Sequence, residues 1–413
     1  MSRREKLPLG FLQCVDKRKM VFKIPVSGNS PKEEIAEYPL FDWLRIALAS
    51  AVALGHAQVL SWEHTGNLAV QIFFALSGWL IGGILLQTEL RELPRFYFNR
   101  VTRVWLPYLA ALLLLYTLSA LRDPVDVRWV EFLVYDLTFT HNWFTLLPDP
   151  ATAIAQMPLK GTGNHFWSLA VEEQFYLATP LLMLFFRGGK SVLFWVMVAA
   201  FAYGSGSQYS AISFGVLAAT LNRDFGDWHL SRAASTLIVL TAAVCVTGML
   251  VPTGYVYAAP VFAIAIVLLA ARAGTRTAAG KFFGGMSYPL YLNHWLGGFI
   301  VNGVCKRIGL EAPMVVRLGS YAAGLFVGAI AYVLVDQQIM TRRGAFYSQS
   351  RGWILGILAY GLLVLGIISG LLLHFRFTPC RIKRETESGG GTSGAYSKSM
   401  ASGATRIGVF EYS

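Results

Sequence analysis

Two ionisable residues share one otherwise apolar stretch near the start of the sequence, FDWLRIALASAVALGHA, in which Arg45 and His56 stand eleven positions apart. At about 100° and 1.5 Å per residue, a helix would place both side chains within roughly 20° of each other around its axis and about 16 Å apart along it. One face would then present a cation at one end and an imidazole, a common general base, at the other. The alternative is that Arg45 snorkels to lipid headgroups while His56 bonds a neighbouring helix.

Two adjacent carboxylates, Glu172 and Glu173, lie in a second apolar stretch, NHFWSLAVEEQFYLATPLL. An ionisable side chain inside a membrane span costs about 2.5–3.5 kcal/mol, so such residues are functional candidates. Neighbours on a helix point about 100° apart, and we therefore expect only Glu172 to face a site shared with His56. Glu173 is expected to make a hydrogen bond to another helix or at the headgroup level.

Arginines cluster in RFYFNRVTRVWLPY, where Arg100 and Arg103 are three positions apart and share one helical face. Arginine suits bidentate recognition of phosphate, although an ordinary cytoplasmic excess of positive charge explains the same pattern. A late stretch, FFGGMSYPLYLNHWLGG, adds Asn293 and His294, for which a buried and satisfied histidine is the usual explanation. No histidine or cysteine pair has metal-ligand spacing, so we expect no metal.

The elements that must position these residues are transmembrane helices. Of 413 residues, 55% are hydrophobic and only 14% are charged, which excludes a disordered chain and a basic nucleic-acid binder despite the net charge of +12. A bilayer core needs roughly 20 mostly apolar residues per helix. Such stretches lie near 40–60, 67–87, 103–121, 166–186, 191–204, 209–221, 234–251, 255–271, 284–301, 316–336 and 352–375. We predict an all-α fold, a polytopic membrane helical bundle with about 10–11 transmembrane helices.

The distribution of lysine and arginine predicts how the bundle sits in the membrane. These residues are frequent before the first span and absent from the turn Ser61 to Gly66, which indicates a cytoplasmic N-terminus. Later basic loops alternate accordingly, except that Lys306 and Arg307 lie on the opposite side. Eleven crossings would put the basic C-terminal segment outside, whereas ten crossings and an interfacial last segment would remove that conflict.

Three regions follow from this distribution of charge and apolar residues. They are a basic cytoplasmic leader at 1–38, a transmembrane domain at 39–375, and a flexible Gly/Ser-rich tail at 376–413. The long connection between the third and fourth spans is rich in proline and aromatic residues, and loops of that length are usually functional or disordered.

Several of these segments resemble one family, the membrane-bound acyltransferase-3 family. The first stretch is similar to its Arg-x10-His signature, FFALSGWLIGG to its second-span motif, and RFYFNRVTRVWLPY to its spaced arginines. HFWSLAVEEQFYLATPLLM resembles its WSLxvExqFY segment, with Glu172 at the matching carboxylate, and SYPLYLNHW resembles the late motif that ends in a histidine, here His294. YVLVDQQIMTRRG departs from the closing motif of the family, and Asp336 therefore receives no role.

The resemblance implies a reaction and roles for these residues. Acyl-CoA, commonly acetyl-CoA, would be held from the cytoplasmic side by Arg100, Arg103 and Arg45, and an extracytoplasmic or lipid-linked carbohydrate hydroxyl would be the acceptor. His56 would act as general base, with Glu172 orienting and stabilising its imidazole, and Arg45 completes the catalytic set. An acyl-histidine relay on His56 stays open. His294, Asn293 and Trp167 are expected to line the substrate path.

Other classes of protein remain to be weighed against this enzyme. A transporter or flippase for a lipid-linked saccharide would use the same intramembrane polar face, and a structural or receptor-like membrane protein is a third alternative. If the protein is an acyltransferase, its expected partners are acyl-CoA, a carbohydrate or glycolipid acceptor and membrane lipids, and no nucleic acid. Its expected location is a bacterial inner (cytoplasmic) membrane. A homo-oligomer is left open.

Overall fold

The computed structural model describes residues 37–145, 154, 156–251 and 253–388, with side chains described as far as residue 373. Most of the predicted leader and the end of the predicted tail, 389–413, lie outside the described residues. Within the described part, the regular elements are helices and there is no strand. The principal helices are α1 (Pro39–His56), α2 (Thr65–Gln87), α3 (Leu93–Ala120), α4 (Val127–Leu137), α5 (Trp167–Pro180), α6 (Val192–Gly204), α7 (Ser210–Phe225), α8 (Arg232–Met249), α9 (Tyr255–Ala270), α10 (Ala278–Ile308), α11 (Pro313–Ala331), α12 (Gln337–Phe346) and α13 (Gln349–Ser388).

The predicted fold class, an all-α membrane bundle, is confirmed. Five helical stretches in the described chain are long and apolar enough to cross a membrane: Thr65–Gln87, Leu90–Ala120, Arg232–Met249, Pro313–Phe346 and Gln349–Leu373. Two shorter apolar helices are Val192–Gly204 and Tyr255–Ala270. A helix lies in each of the eleven predicted intervals, and the number of crossings beyond these five stays a prediction.

Ordinary end signals delimit the helix that carries His294. At the start of α10, the Thr277 side chain accepts a hydrogen bond from the backbone N–H of Gly280 at 3.0 Å, as a helix N-cap does. At its end, Gly309 adopts φ 65°, the left-handed conformation that glycine reaches without steric cost. Pro313 follows four residues later in the first turn of α11, which makes α10 and α11 antiparallel neighbours.

Small residues bring α10 and α11 into close contact. A Cβ added to Gly297 would lie 2.2 Å from the carbonyl oxygen of Ser320, and one added to Gly328 would lie 2.9 Å from Cα of Leu290. Helices in lipid associate through such close packing because the hydrophobic effect does not drive their association there. The position of His294 on α10 is thereby tied to α11.

The long connection between α3 and α5 is partly ordered and packs on both of them. Helix α4 begins at an Asp126 N-cap that accepts from the Trp129 backbone N–H at 2.8 Å. Near its other end, the buried Asp136 carboxylate lies 2.6 Å from His141 Nδ1 and accepts from the Tyr116 hydroxyl at 2.7 Å. These contacts hold the connection against α3, so the described part of this loop has a defined structure.

The boundary drawn between the transmembrane domain and the tail does not coincide with a structural boundary. Helix α13 continues to Ser388, thirteen residues beyond the predicted end of the domain at 375. The predicted end was the last residue of the hydrophobic stretch. The backbone hydrogen bonds of a helix can continue past that point into polar residues of adequate helix propensity. The tail therefore starts as helix.

Candidate active site

The imidazoles of His56 and His294 form a pair at the end of the bundle where α1 ends, which we call the histidine end. His56 is the last residue of α1, and His294 lies near the middle of α10. Nδ1 of His56 and Nε2 of His294 are 2.7 Å apart, a hydrogen-bond distance. The sequence predicts His56 as the general base and His294 on the substrate path, and the structure brings the two rings into direct contact.

The proton positions in this pair follow from the other partner of His294. Its Nδ1 lies 2.9 Å from the carbonyl oxygen of Tyr291, which only accepts, so Nδ1 carries the proton. In the neutral ring, Nε2 of His294 is then an acceptor, and His56 must donate to it from Nδ1. Neutral His56 has one ring proton, so its Nε2 has a free lone pair. The arrangement leaves His56 Nε2 as a base.

A third histidine, His165, adjoins the pair at the start of α5. Its ring centroid lies 5.0 Å from that of His294 and 6.2 Å from that of His56, and its side chain is buried. His165 Nδ1 lies 3.1 Å from the carbonyl oxygen of Thr162, while Nε2 is buried and has no protein partner among the described residues. Among those residues, no group of three or more histidine, cysteine or acidic side chains is arranged to hold a metal ion.

Tyr291 connects the helices that carry these histidines. Its backbone carbonyl accepts from His294, its hydroxyl donates to the carbonyl of His165 at 2.8 Å, and the same hydroxyl lies 2.5 Å from Oγ of Ser168. One residue of α10 thus holds both His294 and the start of α5, which makes the three-histidine arrangement a property of the packed bundle.

A cavity of about 840 Å³ lies beside the histidine pair, between α1, α10 and the start of α11. His56 and His294 line it together with small and polar residues, among them Asn302 and Gln58. This volume is within the range of small-molecule sites in proteins. The cavity can therefore bring a substrate group to the imidazoles.

Arginines gather toward the opposite end of α1, which we call the arginine end. Arg45 interacts electrostatically with Arg103, and Arg103 with Arg100 and Arg343. The guanidinium of Arg100 lies over the ring of Tyr176 at 5.1 Å. Among the described residues, no carboxylate lies within salt-bridge distance of Arg45, Arg100 or Arg103. The structure thus brings together the three predicted donor-binding arginines and adds Arg343 of α12.

Glu172 interacts with this arginine cluster and not with the histidines. Its carboxylate accepts from the Ser77 hydroxyl at 2.8 Å and the Tyr176 hydroxyl at 3.1 Å, and interacts electrostatically with Arg100 and Arg103. The expected contact of Glu172 with the imidazole of His56 is not formed: the carboxylate is paired with Ser77 and Tyr176, and Nδ1 of His56 with His294.

Glu173 points to the other side of α5, as the helical spacing predicts. It accepts from the indole N–H of Trp105 on α3 at 2.8 Å, which is an inter-helix hydrogen bond. Its second oxygen is buried without a protein partner among the described residues. The two adjacent carboxylates therefore have different surroundings, and the assignment of an inter-helix bond to Glu173 is confirmed.

Asp42, the one acidic residue in FDWLRIALASAVALGHA, is neutralised by an arginine that is distant in sequence. Arg276, which lies just before α10, donates from Nε and Nη2 to the two carboxylate oxygens of Asp42 at 2.5 and 2.7 Å. The pair is therefore bidentate. Asp42 is only 1% exposed. This pair ties the start of α1 to the segment before α10, and the salt bridge of Asp42 is therefore with Arg276 and not with Arg45.

Two predicted substrate-path residues lie away from the cavity wall. Asn293 is buried and donates to the carbonyl of Pro289 at 3.0 Å within its own helix. Trp167 packs edge-on against Phe74 of α2, with centroids 6.0 Å apart. Neither residue lines the described cavity. Asn293 is next to His294 in sequence and so points about 100° away from it around α10.

Some residues of the site were not singled out by sequence reasoning. His165, Arg343, Ser77, Tyr176 and Tyr291 received no role there. All but Arg343 are polar residues within the segments FFALSGWLIGG, HFWSLAVEEQFY and SYPLYLNHW. Their position inside those segments was the available signal.

Comparisons with known proteins show which family the chain belongs to. The chain is 29% identical over 165 residues to a Staphylococcus aureus (strain COL) protein named "Putative O-acetyltransferase", which covers 38% of this chain and 26% of that protein. It is 29% identical over 154 residues to O-acetyltransferase OatA of Staphylococcus aureus (strain NCTC 8325), over 36% of this chain and 25% of OatA. The matches thus span about a quarter of the length of these curated relatives, and no solved structure matches. A family model described as an acyltransferase domain, Acyl_transf_3, matches residues 38–335, and the chain therefore belongs to the acyltransferase-3 family of membrane proteins.

Proposed function

We propose that this integral membrane protein is an O-acyltransferase that moves an acyl group, acetyl in the simplest case, from cytoplasmic acyl-CoA to a hydroxyl of an extracytoplasmic or lipid-linked carbohydrate. The observation that carries the proposal is the 2.7 Å contact between His56 Nδ1 and His294 Nε2 beside a cavity. It leaves Nε2 of His56 able to take a proton from a hydroxyl, as O-acyl transfer requires. Family membership and the named relatives support the same reaction class.

In direct transfer, His56 Nε2 removes the proton of the acceptor hydroxyl while the oxygen of that hydroxyl attacks the thioester carbonyl. The C–S bond then breaks, the CoA thiolate leaves, and the proton on His56 returns to the sulfur. During the step, His294 Nε2 accepts the hydrogen bond from His56 Nδ1–H and stabilises the imidazolium. In the alternative relay, His56 Nε2 itself attacks the thioester carbonyl, the C–S bond breaks, and the CoA thiolate leaves. The acceptor hydroxyl then attacks the acyl group, the bond from that group to Nε2 breaks, and the freed imidazole takes the hydroxyl proton and passes it to the thiolate.

The arginine end is proposed to hold the phosphates of acyl-CoA. Arg45, Arg100 and Arg103 carry no partner carboxylate at salt-bridge distance in the described chain, so their charges are available to an anionic ligand. Arg45 and His56 lie about 16 Å apart along α1, which an extended pantetheine arm would bridge. The proposal includes a cytoplasmic N-terminus in a bacterial inner membrane, so that the donor binds from the inside and the acceptor from the outside.

Acceptor-dependent release of free CoA is the experiment that tests the function. Purified protein in lipid nanodiscs would be mixed with acetyl-CoA and an extract of cell-envelope glycans, with thiol release and O-acetylated glycan measured together. We expect both signals to rise in parallel and to require both substrates. Movement of a lipid-linked glycan across the bilayer without thiol release would identify a flippase and contradict the proposal.

Replacing Arg103 should weaken donor binding more than it slows the chemical step. For Arg103→Gln we expect the KM for acetyl-CoA to rise about tenfold, since a hydrogen bond to a charged group contributes roughly 1.5–3 kcal/mol and this site is partly exposed. Initial rates across a range of acetyl-CoA concentrations would measure the change. Arg342→Gln, which removes an equal charge from the exposed side of α12, is the matched control and should leave KM unchanged. An unaltered KM in Arg103→Gln would remove this residue from the donor site.

A further inference from the structure

An apolar groove lies between the same three helices that form the cavity. Its volume is about 550 Å³, and its lining includes Trp43 of α1, Met286 of α10, and Leu325 and Ala329 of α11, with no charged side chain. Trp43 and the groove residue Phe326 are 44% and 67% exposed on the surface of the bundle, although both are large and apolar. In an integral membrane protein, such a surface faces the hydrocarbon of the bilayer.

The groove and the cavity are neighbours that share one lining residue, and we call the two together the path. Tyr321 of α11 lines both of them. On α1, Trp43, Ile46 and Ser50 line the groove, and Ala53 and Ala57 line the cavity. These positions follow one another at intervals of three and four residues, so they form one stripe along the helix, about 20 Å from end to end.

This path is distinct from the face of α1 proposed for the donor. At about 100° per residue, the groove positions Trp43, Ile46 and Ser50 lie on average roughly 130° around the helix axis from Arg45. His56 borders the cavity and also shares the face of Arg45. Two separate approaches, one from the arginine end and one from the bilayer, therefore meet at the imidazole of His56.

The cavity, which lies at the histidine end of this path, has the polar lining that a sugar headgroup requires. Asn302 and Gln58 offer amide groups. The lining also has two cationic side chains, Lys306 and Arg317, and one carboxylate, Glu311. Lys306 is also one of the two cations that break the charge asymmetry of the loops. An apolar groove that opens into a polar, net positive cavity matches an amphiphile with a sugar head and an anionic link.

We propose that the acceptor is an amphiphile, a sugar carried on a membrane lipid, which enters from the bilayer with its hydrocarbon chain in the α1–α10–α11 groove and its sugar in the cavity beside His56. The inference rests on the proposed function and narrows it from carbohydrates in general to lipid-linked ones. The second approach leaves the arginine end free for the donor, so both substrates can be bound at once.

Photolabelling tests the groove without requiring catalysis. The protein in phosphatidylcholine nanodiscs would be irradiated with a dodecyl glucoside that carries a diazirine on its chain, and labelled peptides would be mapped by mass spectrometry. We expect labels on the groove segments around Trp43, Phe282 and Phe326. In Ala329→Phe, which places a ring inside the groove, labelling should fall about tenfold, the effect of roughly one steric clash on a binding constant.

Ile330→Phe is the matched control, because Ile330 is 42% exposed and does not line the groove. It should keep wild-type labelling, and Ser50→Phe tests the opposite wall if Ala329→Phe does not fold. A diazirine-bearing phosphatidylcholine that labels the groove as strongly as the glucoside would identify ordinary bilayer lipid and overturn the proposal. So would labelling that Ala329→Phe and Ser50→Phe leave unchanged. Specific labelling without acceptor-dependent CoA release would retain the site and refute the transferase instead.

Discussion

His56→Gln should reduce acceptor-dependent CoA release by about 10²- to 10⁴-fold, the usual contribution of a positioned general base. Glutamine keeps a polar side chain of similar length, but its amide does not take up a proton at neutral pH. The acceptor hydroxyl would then have to lose its proton to water while it attacks the thioester. Binding of acetyl-CoA at the arginine end should change little, because His56 lies about 16 Å along α1 from Arg45.

The measurement is the initial rate of thiol release in nanodiscs, with acetyl-CoA binding measured separately. His64→Gln is the control, since His64 lies in the loop between α1 and α2 and stacks on Tyr255 instead of lining the cavity. A His56→Gln protein that inserts, binds acetyl-CoA and acylates the acceptor at the wild-type rate would refute both direct transfer and the relay.

Rapid quenching with radiolabelled acetyl-CoA would separate the two routes. In the relay, the wild-type protein without acceptor should accumulate label on His56, and His56→Gln should not. In direct transfer, neither protein should become labelled before the acceptor is added. Label on His56 would identify the relay, and its absence, together with the rate loss of His56→Gln, would identify direct transfer.

His294→Leu should lower kcat by about 10- to 100-fold while the KM for acetyl-CoA stays near its wild-type value. Leucine removes the acceptor for His56 Nδ1–H, which lies 2.7 Å from Nε2 of His294. Leaving a buried donor unpaired costs about 1–3 kcal/mol, and each 1.36 kcal/mol in the barrier is tenfold in rate. The loss should appear in kcat, because the charged imidazole forms only during the reaction.

His294→Gln provides the conservative comparison, because its amide oxygen can accept the same hydrogen bond. We expect it to recover a substantial part of the rate that His294→Leu loses. Steady-state kinetics of the two variants would measure this difference at equal amounts of inserted protein. Equal losses in both variants would assign His294 a packing role, since its backbone also lies against Gly324 of α11.

The resemblance to the acyltransferase-3 family could be stated from sequence because several short motifs occur in order, and the family match over residues 38–335 confirms it. Helix formation was predictable for the same local reason. A run of apolar residues about as long as the bilayer is thick specifies a helix without reference to the rest of the chain. Hydrophobicity marks membrane depth and not the last helical hydrogen bond, so the end of α13 at Ser388 does not follow from it.

The relation between Arg45 and His56 was determined by sequence alone, since both lie on α1 and helical geometry sets their separation. The partner of His56 was not, because His294 is 238 positions away and no periodicity specifies which faces of two helices meet. Small residues decide that contact: Gly297 and Gly328 let α10 approach α11, and this packing sets the position of His294. Sequence therefore determined which groups can do chemistry, and tertiary structure decided that the imidazole of His294, and not the carboxylate of Glu172, hydrogen-bonds His56.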